Sequence, residues 1–331
     1  MPGTLPRLSP KVVGLLAALV TVLIWTAFIV VARASADPTR APTLTPFDIV
    51  FARLLGAGLI LLPVGWWLTR TQRSLQRQAG ALPNAGSLWG LSPLPLRVTV
   101  LTGSFGGLLY GLFAYSGFVF APAAHASVLL PGSLPLWTAL LAVPLLGERI
   151  TRSRATGLIC IVAGDLLVGG ASLLHALDGS GVWRGDVLFI LGAFTWSCYS
   201  VMVRKYALQA VHATTAITVF AFLVYVPTYA ALVSFGVVAG HVFTAPLGDV
   251  VWQMLMHGVA SVVVSGITFN MMIRTFGPVR STMLTAVVPG LSALSAALYL
   301  GEPLPWNVLI GLTLVTLGIV FGVRPAGVKK P

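Results

Sequence analysis

The sequence predicts an all-α membrane protein: ten transmembrane helices forming two inverted five-helix repeats. Three observations predict it: too little charge for a water-facing surface, ten long apolar runs, and a pattern that recurs once along the chain. Of the 331 residues, 57% are hydrophobic and 8% charged, with mean hydropathy +0.94. Soluble domains carry about 25% charged residues, so much of this surface must face hydrocarbon. The apolar runs fall at 12–31, 47–68, 97–120, 123–146, 154–172, 186–205, 214–236, 250–273, 279–300 and 305–323. Each approaches the ~20 residues that cross a ~30 Å hydrocarbon core as a helix. Lys11, the first run and "ASA" at 34–36 imitate a secretory signal, but the run is longer than a signal's apolar region and reads as a span.

The formal charge of +12 orients the spans. Numbered by side, sixteen Lys and Arg fall in the tails and connections on the N-terminal side, among them Arg70, Arg73, Arg77, Arg204 and Arg280. Only Arg33, Arg40 and Arg184 fall on the other side, and Arg53 lies within the second run. That asymmetry is the positive-inside signature of a multi-pass cell-membrane protein with both termini cytoplasmic. The basic charge therefore needs no nucleic acid to explain it. Cys160 and Cys198 lie inside runs and read as packing residues.

"PLWTALLAVPLLGE" at 135–148 returns as "PGLSALSAALYLGE" at 289–302, an offset of 154. The same offset pairs Gly157 with Gly311 and Gly164 with Gly318. Near the two starts an offset of 171 pairs Trp25 with Trp196 and Arg33 with Arg204. The 17-residue difference fits the connection 69–97, rich in Gly, Pro and Arg and expected as an amphipathic or disordered cytoplasmic loop. The repeats thus span 12–172 and 186–323. Five spans apiece force opposite insertion, the geometry of alternating access in several secondary transporters.

Ten spans in two fives, with "P…GE" closing the fourth and ninth, resemble the EamA family of the drug/metabolite transporter superfamily over residues 12–323. The resemblance implies a bundle with a central cavity lined mainly by spans 1, 3, 4, 6, 8 and 9. It also implies export or exchange of small metabolites, amino acids or toxic compounds.

Several residues are candidates for such a cavity. Trp25 and Trp196 sit at mid-span, unlike the tryptophans expected at the interfaces (Trp66, Trp67, Trp183, Trp252, Trp306). They suit an aromatic wall on each side of a midplane site for apolar or cationic ligands. Their alternative role is bundle packing. His257, Ser261, Ser265 and Thr268 form a polar stripe at helical spacing, which is expected to face the bundle interior or a water-filled cavity. The aligned residues Gly103, Gly107, Gly111 and Ala114 are small, as in close helix packing. Tyr110 and Tyr115 flank them and can present hydroxyls to a ligand; Asn270, Thr282 and Thr285 are weaker candidates.

Two charges lie within runs. By helical rise, Arg53 is about 10 Å from one face and Asp165 roughly 16 Å from the other. At those depths they are expected either to pair with each other or to act apart, Arg53 holding a substrate carboxylate and Asp165 a proton. Pro135 and Pro289 are candidate hinges, because proline lacks a helix donor. Glu148 and Glu302 close spans at opposite faces, so they cannot form a catalytic pair. They read as turn residues, Glu148 close to Arg149 and Arg152.

No nucleotide-binding, metal or nucleophile motif occurs, and no cofactor is expected. The function expected is a secondary transporter, most readily an exporter of amino acids or similar amphipathic metabolites. A carrier for other small solutes is the alternative. A membrane enzyme or a non-transporting scaffold is a more distant one. The partners expected are a small-molecule substrate and the lipid bilayer, with the oligomeric state open. The charge split predicts that a cysteine at Ser74 stays protected from an impermeant thiol reagent in intact cells, whereas one at Gly240 reacts. The reverse pattern would overturn the topology.

Overall fold

The computed structural model describes residues 9–170, 174, 179 and 181–323. Arg7, Arg324, Lys329 and Lys330 of the charge count, and residues 171–172 of the first repeat, lie outside them. Among the described residues the chain is helical, without strands. Among these residues nine helices are long and apolar enough to cross a membrane: spans 1 (Pro10–Ala36), 2 (Pro46–Gln78), 3 (Leu96–Phe120), 4 (Ala123–Leu146), 5 (Arg152–Gly170), 6 (Val182–Lys205), 7 (Ala210–Ser234), 8 (Leu247–Phe276) and 9 (Pro278–Leu300). A tenth apolar helix, span 10, is Trp306–Val323.

Local signals set the ends. Ser9 caps span 1, accepting from the Val12 amide at 3.3 Å, and Pro10 occupies the first turn. Thr45 and Asp48 form a reciprocal capping box on span 2, satisfying amides a helix start leaves unpaired. The repeated Gly-Glu has a backbone cause. Gly147 (φ +68°) and Gly301 (φ +70°) end spans 4 and 9 in the left-handed conformation that terminates helices.

Five spans are not uniform α-helix, span 5 closing in a π-helical stretch at Leu166–Gly170. Span 3 is π-helical over Gly103–Leu109, and its repeat counterpart span 8 over Met254–Val264. Span 4 has a π-helical stretch at Val128–Gly132 and restarts at Leu134; span 9 tightens at Thr285–Val287 and restarts at Val288. Pro135 and Pro289 stand in the first turn of the restarted segments. There a missing N–H costs little, because first-turn amides lack intrahelical partners anyway.

Neighbours exchange in pairs. Span 1 packs on spans 8 and 9 as span 6 packs on spans 3 and 4, and span 2 meets span 8 as span 7 meets span 3. Spans 2 and 7, and spans 5 and 10, pack on their own counterparts. The span 5–10 crossing is set by glycine. A methyl added at Gly318 would lie 2.5 Å from the Gly157 carbonyl oxygen, and one at Gly164 would lie 2.7 Å from that of Gly311. Under the repeat each of these contacts is the image of the other. The span 3 glycines also pack: Gly103 seats Phe220, and Gly107 lies against the Ile217 carbonyl. Gly111 is less tight, a methyl there meeting Val50 at an ordinary 3.8 Å.

A second tie between the halves escapes sequence reading. The fully buried Asp48 carboxylate accepts five hydrogen bonds of 2.8–3.0 Å, from the Thr45 amide and hydroxyl, Tyr229 Oη, and the His241 and Val242 amides.

The 69–97 connection differs from expectation. Span 2 continues to Gln78, through ten residues with no glycine or proline, and stops before Gly80 (φ +70°). The remainder folds back: Arg73 Nε donates to the Ala85 carbonyl at 2.9 Å, Gln76 bonds Asn84 and Ala85, and Ser87 pairs with Ser92. It is a built element rather than a loose loop. Gly240 also proves a poor labelling site, since a side chain there would lie 2.6 Å from Tyr229 Oη; the exposed Val237 serves instead.

The glycine crossing gives a stability prediction. Gly164→Val and Gly318→Val should each cost about 1–3 kcal/mol by overpacking, read as lowered thermal unfolding in detergent. Gly290→Ala, where nothing lies within 4 Å, should cost nothing. Equal behaviour of all three would show that the crossing tolerates separation.

Candidate functional site

An aromatic cluster fills the centre of the bundle, where span 1 meets spans 3, 6 and 8. The Trp25 and Trp196 rings meet edge-to-face at 6.0 Å between centroids. Phe269 packs against both, at 5.0 and 5.7 Å, and Tyr110 and Tyr199 flank Trp196 at 4.8 and 5.2 Å. Phe28, one turn along from Trp25, continues the cluster to Tyr115 at 5.7 Å and His257 at 5.6 Å. A small apolar cavity of ≈ 10 Å³ lies between Trp25, Phe28, Tyr110, Pro131, Leu134 and Trp196. That is about the space of one water, so the site is collapsed around its own side chains.

The polar stripe of span 8 faces span 1. His257 meets Phe28, Ser265 Oγ accepts from Trp25 Nε1 at 3.2 Å, and Thr268 bonds Thr21 at 2.8 Å. Ser261 joins the stripe through its carbonyl, which accepts from the Ser265 hydroxyl at the end of the π-helical stretch. Asn270 ties Tyr199 (2.6 Å) to Thr214 (3.0 Å), whereas the Thr282 and Thr285 hydroxyls bond back to their own helix.

Arg53 borders the cluster from span 2, a span the resemblance did not put among the lining ones. Glycines bring it there: Gly56 lies against the Met254 backbone, and Gly258 against the Arg53 carbonyl. The side chain is 4% exposed. Nη1 donates to Tyr115 Oη at 3.2 Å, and the guanidinium carbon lies 5.5 Å from the Tyr110 and Tyr115 ring centroids. Nε has no hydrogen-bond partner, and among the described residues no carboxylate pairs with the guanidinium. His257, whose ring centroid is 5.1 Å from that of Tyr115, is fully buried with both ring nitrogens unpartnered. A buried cation without an anion costs several kcal/mol, and two unsatisfied polar side chains beside one phenol make the cost local to this place.

Two expectations are corrected. Arg53 and Asp165 do not pair: span 5 packs on span 10 while span 2 packs on spans 7 and 8, so similar depth does not bring them together. Asp165 Oδ1 is buried there without a hydrogen-bond partner among the described residues. Glu148 is held by neither Arg149 nor Arg152 but by Arg154 Nη1 at 3.1 Å, in the first turn of span 5.

The two repeat-related span ends differ. Arg33 Nε bonds Glu302 Oε1 at 2.7 Å, Arg33 Nη1 donates to the Phe118 carbonyl at 2.8 Å, and Glu302 Oε2 accepts from the Ala123 amide at 2.9 Å. This knot joins the ends of spans 1, 3 and 9 to the start of span 4. By the same offsets its counterparts are Arg204, Glu148 and Gly277. They form no such knot: they line an open groove of ≈ 250 Å³ with Arg154 and Arg280, and the Gly277 amide is spent on Ile273. Sequence reading passed over Phe28 and Tyr199, although the offset of 171 pairs them as it pairs the two tryptophans.

The comparisons agree with this architecture. The EamA-like transporter family matches the chain twice, over residues 12–170 and 183–324. An uncharacterized transporter of Archaeoglobus fulgidus is 29% identical over 182 residues, 54% of each chain, so the match spans about half of that relative. The uncharacterized transporter YyaM of Bacillus subtilis is 22% identical over 217 residues, 64% of this chain and 70% of that one. A solved crystal structure superposes with a TM-score of 0.59 at 21% identity, covering 93% of this chain and 96% of the other, which shows a shared fold. This chain belongs to the EamA-like transporter family.

Proposed function

We propose that the chain is a secondary transporter that moves small amphipathic metabolites, amino acids or related compounds, by alternating access. The family resemblance implies export or exchange, and export is the direction proposed. The observation that carries the mechanism is the unequal pair of span ends. Arg33–Glu302 is tied, while Arg204 and Glu148 stand around an open groove. Two similar halves that exchange conformations would exchange these ends. The groove would close as Glu148 leaves Arg154 for Arg204 and the Gly277 amide, and the Arg33–Glu302 tie would open. Pro135 and Pro289, at the breaks of spans 4 and 9, would be the hinges.

The central cluster supports the substrate class. Arg53, lacking an anion, would receive a carboxylate with help from Tyr115 and His257. Trp25, Trp196 and Tyr110 would take an ammonium or apolar body, and Ser265 and Thr268 lie beside them.

Crosslinking tests the alternation. In a chain carrying Cys160→Ser and Cys198→Ser, the pair Arg33→Cys with Glu302→Cys should crosslink in the resting protein. The pair Arg204→Cys with Glu148→Cys should crosslink only when substrate is present. Either crosslink should stop flux in proteoliposomes, and reduction should restore it. Flux that continues with one pair locked overturns the mechanism.

Arg53 tests the substrate class. Arg53→Met removes a buried unpaired charge, so thermal stability without ligand should hold or rise by about 1–4 kcal/mol. The thermal shift given by amino acids should vanish in the same variant. Trp25→Ala should weaken binding of amine-bearing ligands by about 1–2 kcal/mol. If Arg53→Met keeps its ligand response, the substrate lies elsewhere.

A further inference from the structure

The segment after span 2 is the part of the first half that the second half lacks, so the symmetry of the transporter does not account for it. It builds a groove of ≈ 540 Å³ at the end of span 2. Arg70, Arg73 and Arg77 line one wall, at the i, i+3 and i+7 positions that share a helix face, and Trp66 and Trp89 bound it. No carboxylate lines it. Arg70 stacks on Trp66, its guanidinium carbon 5.1 Å from the ring centroid. Trp66 and Trp67 are both exposed on the helix surface, so the groove opens at the depth where tryptophan marks the edge of the hydrocarbon.

The facing loop is strained in a way that serves this groove. Leu88 (φ 51°) and Trp89 (φ 57°) are both left-handed, which costs a non-glycine residue about 1–3 kcal/mol. The Ser87–Ser92 amide pair and the Arg73–Ala85 bond hold them there. The result is a tryptophan 85% exposed at the mouth of an arginine-lined groove. Among the described residues no packing contact explains an indole held out at such a cost.

We propose that this groove binds the phosphodiester headgroup of an anionic phospholipid in the leaflet that borders it. Arg70 and Arg77 supply charge and paired donors to the phosphate, and Arg73 shapes the wall through Ala85. Trp66 and Trp89 lie along the glycerol and upper acyl region. A free anion would need the arginines but not the two indoles at the membrane edge, which is the ground for choosing lipid. This site is separate from the central cluster, and its failure would leave the transport reading untouched.

Native mass spectrometry of the purified full-length protein, exchanged into phosphatidylglycerol or phosphatidylcholine, tests it. Wild type should retain a phosphatidylglycerol molecule in preference to phosphatidylcholine. Arg70→Gln with Arg77→Gln should lose that preference by about fivefold per arginine, from ~1 kcal/mol for each basic group at an anionic surface. Arg73 is left in place because it holds the loop. Trp89→Gly suits φ 57° and should leave thermal stability in detergent intact while lowering phosphatidylglycerol retention, so it separates headgroup binding from folding. Equal retention of the two lipids by wild type overturns the proposal, as does unchanged retention by the double variant. Displacement by the same concentration of inorganic phosphate would show a free-anion site instead and would also overturn it.

Discussion

In hydrocarbon every backbone amide and carbonyl must be paired inside its own span or against a neighbouring one. The rest of the structure follows from how this chain meets that rule while still bending. Its irregular stretches are the π-helical turns of spans 3, 4, 5 and 8 and the tight turn of span 9. Those of spans 3 and 8 run through the middle of the bundle, where side chains and neighbouring helices can serve a displaced carbonyl. Irregular turns of this kind recur at functional sites. Here they set the register of Tyr110 on one span and of His257 and Ser265 on the other.

At its centre, among the described residues, the interior made in this way holds a charge that the fold does not neutralise. Asp48 shows what full satisfaction looks like, with five donors around one carboxylate. Arg53 has one phenol and two ring faces. Both are buried on the same span, five residues apart. The contrast separates a group that fastens the halves from one left with unused capacity.

Much of this was legible in the sequence because hydropathy and charge placement report directly on a membrane solvent. The spans came out within a few residues at most ends, since Pro10, Pro46 and Gly147 mark helix boundaries by backbone chemistry. Trp25 and Trp196 were found through the repeat. What stayed hidden depends on which spans touch. Depth along a helix suggested Arg53 with Asp165, but lateral packing sends the two spans to different neighbours. Adjacency points Glu148 to Arg149 and Arg152, whereas the direction in which the first turn of span 5 projects its side chains brings Arg154 into reach. Of the two forms expected for the 69–97 segment, amphipathic or disordered, composition cannot choose: its Gly and Pro lie in the second part, beyond ten residues that readily extend a helix. Asp48 gave no signal beyond a helix cap, because its other donors are backbone amides and a tyrosine about 180 or more residues away.

The glycine crossing of spans 5 and 10 bears on which parts of the bundle can stay still. Its two close contacts, Gly157 with Gly318 and Gly164 with Gly311, are one contact written twice. Because each contact is the image of the other, the patch is self-complementary in the manner of an isologous interface. A motion that exchanged the conformations of the two halves would carry this patch onto itself, so the crossing could stay closed while the span ends trade places. A methyl on either side would push both helices apart.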